Sequence, residues 1–253
     1  MRQIVDKISA ILGLYTLERT DWGVSEISRK LAMPKSTVSE LLSSLVAHGF
    51  LDRSPKARFG LGWRFFNLNQ ILFQSTPLVQ FSRRAMNDLV ERYGECSQLI
   101  ILDSHEAVVV ENVQPLASLH ILTARVGMRV PAYASAGGKL LLAQSDWEVT
   151  RALVEPMERK AFTSATLNNI ESLRKELGLI RSRGYSVDRE EIMPGLSCIA
   201  VPIKSHEGKV IAALSLSLPT YRFAANEAQF ATMALEAGKK ISANLGYDIR
   251  NHL

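Results

Sequence analysis

Residues 33–53, MPKSTVSELLSSLVAHGFLDR, decide how the first part of the chain folds. Pro34 suits the first turn of a helix, where its missing N–H breaks no hydrogen bond. Val38, Leu41, Leu42, Leu45 and Val46 recur at helical spacing and predict a buried stripe. Lys35, Ser36, Ser39, Glu40 and Ser43 fall largely on the other side, and Gly49 ends the helix. Serine is a mediocre helix former, so a face with Ser36, Thr37, Ser39, Ser43 and Ser44 needs a reason. One reason is local: helical hydroxyls bond their own turn. Another is functional: short polar side chains suit a helix that must enter a DNA groove about 12 Å wide.

The flanks bear on that choice. Upstream, Val5, Ile8, Ile11, Leu12 and Tyr15 predict an amphipathic helix over residues 6–17. TDWGVS (20–25) reads as a turn. Ser25 then precedes a second helix, with Ile27 and Leu31 inward and Glu26, Arg29 and Lys30 outward. Downstream, Phe50 and Leu51 lead into a strand, SPKA (54–57) turns, and RFGLGW (58–63) returns. Three helices followed by a basic hairpin is the order of a winged helix-turn-helix. The DNA-facing candidates are Ser25, Lys35, Ser36, Thr37, Ser39, Glu40 and Ser43, with Arg53, Lys56 and Arg58 on the wing. The wing cations would meet phosphates, which supply affinity rather than sequence reading.

Charge distribution agrees with a polyanion-binding head. The first 64 residues hold ten Lys and Arg against six Asp and Glu, a net of +4 out of +5 for the whole chain. The rest is nearly neutral, which suggests a body with another task. A length of 253 residues allows one or two domains with a sizeable core. Cys96 and Cys198, far apart in sequence, form no disulfide framework, so a reducing cytoplasm is expected. No apolar run approaches the roughly 18 residues that span a membrane, and the N-terminus has no signal-peptide core, so no membrane partner is expected.

Beyond the wing, Phe65, Leu68, Ile71 and Leu72 predict an apolar connecting helix, and Pro77 starts another. The first is a candidate dimer surface or an ordinary packing surface. From Ser97 strands dominate: residues 97–113 read as a hairpin turning at DSHE (103–106), and SLHILTARV (118–126) as a further strand. VPAYASAGGKLLLA (130–143) is a loop entering a helix. Residues 147–183 are helical with an interruption at EPMERKAFTSAT (155–166). GYSVDREE (184–191), LSCIAVPIK (196–204) and KVIAALSLSLP (209–219) are strand-like, and a last helix spans about residues 225–245. An antiparallel sheet with flanking helices is an α+β sensor layout.

SAGGK (135–139) invites a phosphate-loop reading but lacks the G-x-x-x-x-G-K-[ST] spacing, and Leu140 replaces the hydroxyl that would meet magnesium. Two glycines feeding a helix N-terminus, able to hold a carboxylate, compete with a plain tight turn. Asp188 and Cys198 fall on neighbouring strand-like segments, and Ser215 and Ser217 share one side of theirs. Taken singly, these are a turn aspartate, a core cysteine and strand serines. A thiol nucleophile at Cys198 would need a base, and His48, His105, His120, His206 and His252 are scattered. No H-x-x-x-H or C-x-x-C pair suggests a metal.

Residues 31–53, LAMPKSTVSELLSSLVAHGFLDR, and RFGLGWRFFNL (58–68) resemble the N-terminal domain of the IclR family of bacterial transcription regulators. That family has a P-K-S-T-V recognition helix, a G-x-L strand entry and an L-G-x-R wing exit in this order. Glu40 departs from its frequent arginine and Ser39 from a frequent ring-bearing residue; glutamate repels phosphate but can accept from cytosine N4. VPAYASAGGKLLLA and residues 184–219 resemble the family's GAF-like effector domain. The resemblance implies an α+β chain: a winged helix-turn-helix over residues 1–63, a linker helix over 64–76 and an effector domain over 77–253. It implies a pocket lined by Ala136, Gly137, Asp188, Cys198, Ser215 and Ser217, capped by Leu119, Leu122 and Val130. The function implied is a ligand-responsive regulator, expected to repress, with no cofactor and no catalysis. Its partners would be a near-palindromic double-stranded operator, a second copy or three further copies, and a short organic acid or aldehyde. A cysteine-dependent enzyme carrying a winged helix, and a winged helix used for protein contacts, stay open as alternatives.

Overall fold

The computed structural model of the chain describes residues 2–115 and 124–248, and the chain divides into two compact units at residues 75 and 76. The first contains α1 (Arg2–Leu12), β1 (Asp21–Trp22), α2 (Val24–Leu31), α3 (Lys35–Ala47), β2 (Leu51–Arg53), β3 (Phe59–Leu61) and α4 (Arg64–Gln74). Its core joins Ile11, Trp22, Ile27, Val38, Leu42, Leu45, Leu51 and Phe59, with Leu41 and Val46 packed against its rim. The α3 stripe is thus the keel on which α1, α2 and the wing meet.

Three boundaries differ from the sequence reading. Helix α1 ends at Leu12 rather than at residue 17. Beyond it the Tyr15 phenol donates to the Phe59 carbonyl at 3.0 Å, and the Trp22 indole to the Leu14 carbonyl at 3.1 Å. These contacts hold the segment against the wing instead of along a helix axis. The expected turn over residues 20–25 contains a strand: Asp21 pairs with Gly60 and Trp22 with Phe59, giving a three-stranded sheet in the order β1-β3-β2. Two residues are too few to show a period, and burial of the Trp22 ring fixes them. Helix α2 starts at Val24 behind Gly23, whose N–H donates to the Glu26 carboxylate at 2.8 Å, so Ser25 sits inside the first turn rather than ahead of it. Helix α4 belongs to this unit through Phe65, edge-on to Phe50 at 5.6 Å, and through the Arg64 guanidinium, which donates to the His48 carbonyl.

The second unit contains α5 (Pro77–Tyr93), β4 (Cys96–Asp103), β5 (Glu106–Val113), β6 (Arg129–Pro131), α6 (Ala136–Leu142), α7 (Trp147–Val154), α8 (Ile170–Arg183), β7 (Ser186–Arg189), β8 (Leu196–Lys204), β9 (Val210–Pro219) and α9 (Thr220–Asn244). The six strands form one antiparallel sheet in the order β6-β5-β4-β9-β8-β7. Alternation sends Ile100, Ala200 and Ala213 to the face packed by α6 and α8. Val201, on the opposite face, meets Gly238 of α9. Strands β8 and β9, covered on both sides, therefore read as near-continuous apolar runs.

Of the strand expected over residues 118–126, 118–123 lie outside the described residues and 124–126 form loop and turn before β6. Helix α9 begins at Thr220, five residues earlier than expected, and is broken at Asn226 (φ −142°, ψ 26°), which hid its first turns from the periodic pattern. The architecture is α+β, a winged helix-turn-helix followed by a GAF-like unit. Among the described residues no helix is long and apolar enough to cross a membrane.

Candidate functional sites

In the first unit, Lys35, Ser36, Ser39, Glu40 and Ser43 are exposed on α3, Thr37 is half-buried, and Ser25 is exposed on α2. The core stripe needs none of these side chains, so the hydroxyl face is open to a partner. Arg53 is exposed with its guanidinium 5.7 Å from the Phe59 ring, and Lys56 is exposed at the wing tip. Arg58 is different: its Nε donates to Asp21 Oδ1 at 2.7 Å, and a terminal nitrogen lies 3.1 Å from Glu26 Oε2. It clamps the wing to β1 and to the start of α2. The Gly23 amide and Arg19 hold the Glu26 carboxyl below its ordinary range. The sequence reading passed over Arg19, which stacks 3.5 Å from the centre of the Trp22 ring. Arg19 lines a recess with Trp22 of β1 and with Glu26, Arg29 and Lys30 of α2.

In the second unit the register assembles residues that are distant in sequence. Asp188 pairs with Cys198, Cys198 with Ser217, and Ser217 with Cys96. One step along, Ser186 pairs with Ala200, Ala200 with Ser215, and Ser215 with Gln98. Both rows lie on the face covered by α6, so Asp188, Cys198, Ser215 and Ser217 do come together. Asp188, Ser215 and Ser217 are buried, and the Cys198 thiol lies 3.1 Å from the Ser217 hydroxyl. Burial, with Asp188 beside it, pushes that thiol's pKa up.

Ala136 and Gly137 open α6 and are buried above the sheet. The Ser135 hydroxyl caps this short helix by accepting from the Gly138 amide at 3.1 Å. Gly138 has no room for a side chain: a Cβ there would lie 2.4 Å from the Ala132 backbone. Val130 is half-buried in β6, while Leu119 and Leu122 lie outside the described residues.

Lys139, the residue that invited a phosphate-loop reading, points inward. Its ammonium donates to the Val187 carbonyl at 2.8 Å and to Glu191 Oε1. The Glu191 amide in turn donates to Asp188 Oδ1 at 2.6 Å. The Thr163 and Thr166 hydroxyls donate to the Glu190 and Glu191 carbonyls and fix that loop. Glu191 Oε2 and Ser186 Oγ are buried with no hydrogen-bond partner among the described residues. Buried polar atoms of this kind call for a ligand or water. Ser186 could have been found from its two-residue spacing to Asp188. Lys139, Glu191, Cys96 and Gln98 depend on contacts that the sequence does not announce.

A family model described as the bacterial transcriptional regulator IclR C-terminal domain matches residues 70–243, and one described as the IclR helix-turn-helix domain matches residues 4–55. The chain is 35% identical over 247 residues to the HTH-type transcriptional regulator XynR of Escherichia coli, covering 97% of this chain and 98% of that protein. It is 30% identical over 227 residues to the transcriptional repressor IclR of the same organism, covering 88% and 82%. Among solved structures, an IclR homologue from Microbacterium hydrocarbonoxydans complexed with 4-hydroxybenzoate superposes with a TM-score of 0.82 at 29% identity, covering 96% of this chain and 98% of that one.

Proposed function

The chain belongs to the IclR family of bacterial transcription regulators, and we propose that it is a cytoplasmic repressor whose operator binding is set by a small organic acid. The observation that carries the DNA half is the exposed hydroxyl face of α3 beside an exposed basic wing. Ser36, Ser39, Glu40 and Ser43 read base edges, with Thr37 at the margin. Ser25, Lys35, Arg53 and Lys56 hold phosphates. Arg58 contributes by fixing the wing.

The acid occupies the α6 face of the sheet, against Ala136, Gly137, Asp188, Cys198, Ser215 and Ser217, with Val130 of β6 excluding water. The supporting observations are the two cross-strand polar rows and the unpartnered Ser186 and Glu191 atoms beside them. That the Microbacterium relative was crystallised with 4-hydroxybenzoate supports an acid as the class of ligand. The ligand acts by binding the operator-competent and operator-incompetent arrangements of the chain unequally, since equal affinity shifts nothing.

Helix α4 carries Phe66, Leu68, Ile71 and Leu72 exposed, and a second copy covers them. Twofold symmetry then calls for a near-palindromic operator with half-sites about one helical turn or a multiple apart. An enzymatic reading has little to stand on: the Cys198 thiol bonds the Ser217 hydroxyl, and burial raises its pKa, opposite to the lowered value of a reactive thiolate. The test is a gel shift on the chain's own upstream DNA at two salt concentrations, with a panel of short organic acids. A band that weakens with salt and responds to one acid is the expected result. No band on any upstream fragment overturns the reading.

A further inference from the structure

The charges buried beneath the α6 face do not balance. Among the described residues Lys139 is the sole buried cation, and its ammonium is committed to Glu191 and the Val187 carbonyl. Asp188 is 3% exposed and lies one hydrogen bond from the Glu191 backbone. The titratable groups around it are few. Lys139 faces it from α6, Glu191 from the loop after β7 and Cys198 from β8, and Cys96 of β4 stands beyond Ser217. On α8, Glu176 is held by Arg183; on α9, Glu227 is held by Arg189. Two carboxyl groups thus share one ammonium away from water.

An uncompensated buried charge costs more than keeping a proton, so one carboxyl stays neutral. Glu191 has the lysine and Asp188 does not. Burial pushes Asp188 up to about 7; the Glu191 amide, Lys139 and the Ile192 amide oppose it, and the Glu191 carboxylate reinforces it.

We propose, on the reading that this unit holds a small organic acid, that Asp188 serves the site as a neutral carboxylic acid, so that the ligand's carboxylate enters with one protein-bound proton. The Asp188 O–H then donates to the ligand carboxylate, as do the hydroxyls of Ser215 and Ser217 on the same face. Ser186, whose buried hydroxyl has no partner among the described residues, supplies a further donor. An ionised Asp188 would instead repel the anion. Above neutral pH each ligand bound takes one proton from solvent, and no covalent bond changes. The site therefore selects a carboxylate over the corresponding amide. A cationic amine would show the opposite pH response.

The experiment is calorimetric titration of the full chain with lactate, succinate and 4-hydroxybenzoate, and with the primary amide of any acid that binds. It is run at pH 6, 7 and 8 in two buffers of different ionisation enthalpy. The carboxylate nearest the protein is ionised throughout this range. The expected result is an affinity that falls toward tenfold per pH unit above 7, uptake approaching one proton at pH 8, and no such fall for the amide. Asp188→Asn, which keeps the shape and cannot ionise, binds the acid with a flat pH profile. Cys198→Ala, whose affinity changes at every pH because it lines the site, still shows the fall above pH 7, which separates the carboxyl from the thiol beside it; loss of the slope in this variant overturns the proposal. Acid binding that is equal at all three pH values, or a slope that survives in Asp188→Asn, overturns the proposal alone. Binding of no acid at pH 6 overturns the organic-acid reading of the site, and the proposal with it.

Discussion

Lys56 and Arg58 stand two residues apart on the wing, and a sequence reading treats them alike. Lys56 is exposed, whereas the Arg58 guanidinium bonds Asp21 and Glu26. Lys56→Ala is expected to weaken DNA binding evenly across sequences and to reduce the slope of log affinity against log salt by about 1. It should leave the thermal midpoint unchanged. Arg58→Ala is expected to lower the thermal midpoint, because the wing loses its tie to β1 and α2. Circular dichroism melts of both variants, with salt-titrated binding, check this; an unchanged Arg58→Ala melt would contradict it. Asp188 gives a second prediction at this scale. Its folded-state pKa, about 7, lies above the ordinary 3.8, so the native state keeps a proton that the unfolded chain has released. Its contribution is complete below pH 3.8 and declines as pH rises toward 7. The melting advantage of wild type over Asp188→Asn is therefore expected to shrink between about pH 4 and 7 and to level off above, a trend thermal scans at stepped pH would reveal.

Elements decide which glycines matter. On α6, Gly138 presses against the Ala132 backbone, and any side chain must displace main chain. Gly138→Ala is expected to destabilise by about 1–3 kcal/mol or more, measured by urea denaturation. On α8, a Cβ added at Gly178 would meet nothing within 4 Å. Gly178→Ala is expected to stabilise by about 0.5–1 kcal/mol, the usual penalty of glycine inside a helix. Opposite signs for two helical glycines are not legible from a pattern that marks both only as glycine. The long helices and the central strands were legible, because a repeating stripe accumulates over many residues. Strand β1 was not: two residues carry no period, and it exists because Trp22 is buried against the wing.

At the scale of the whole molecule, apolar residues left uncovered on α4 set the expected assembly. Phe66 is 54% exposed and Ile71 63%, whereas a lone surface helix would place polar residues there. The double variant Phe66→Glu with Ile71→Glu is expected to sediment as a monomer and to bind a two-half-site operator roughly tenfold or more weakly, with its fold intact by circular dichroism. Sedimentation velocity decides this, and an unchanged oligomer would place the interface elsewhere.

By itself the sequence determined what is local and periodic: the α3 stripe, the hydroxyl face opposite it, the basic head, and the alternation that aligned Ser215 with Ser217. The motifs in both halves pointed to the family. Tertiary structure alone decided which distant groups meet. Arg58 reaches Asp21 across 37 residues of chain and Lys139 reaches Glu191 across 52. Asp188, Cys198, Ser217 and Cys96 form one row only through the pairing of four strands. A period records which face a residue takes relative to its neighbours in sequence. Register, burial and charge pairing depend on which strand or helix packs alongside, and that is settled when the chain folds.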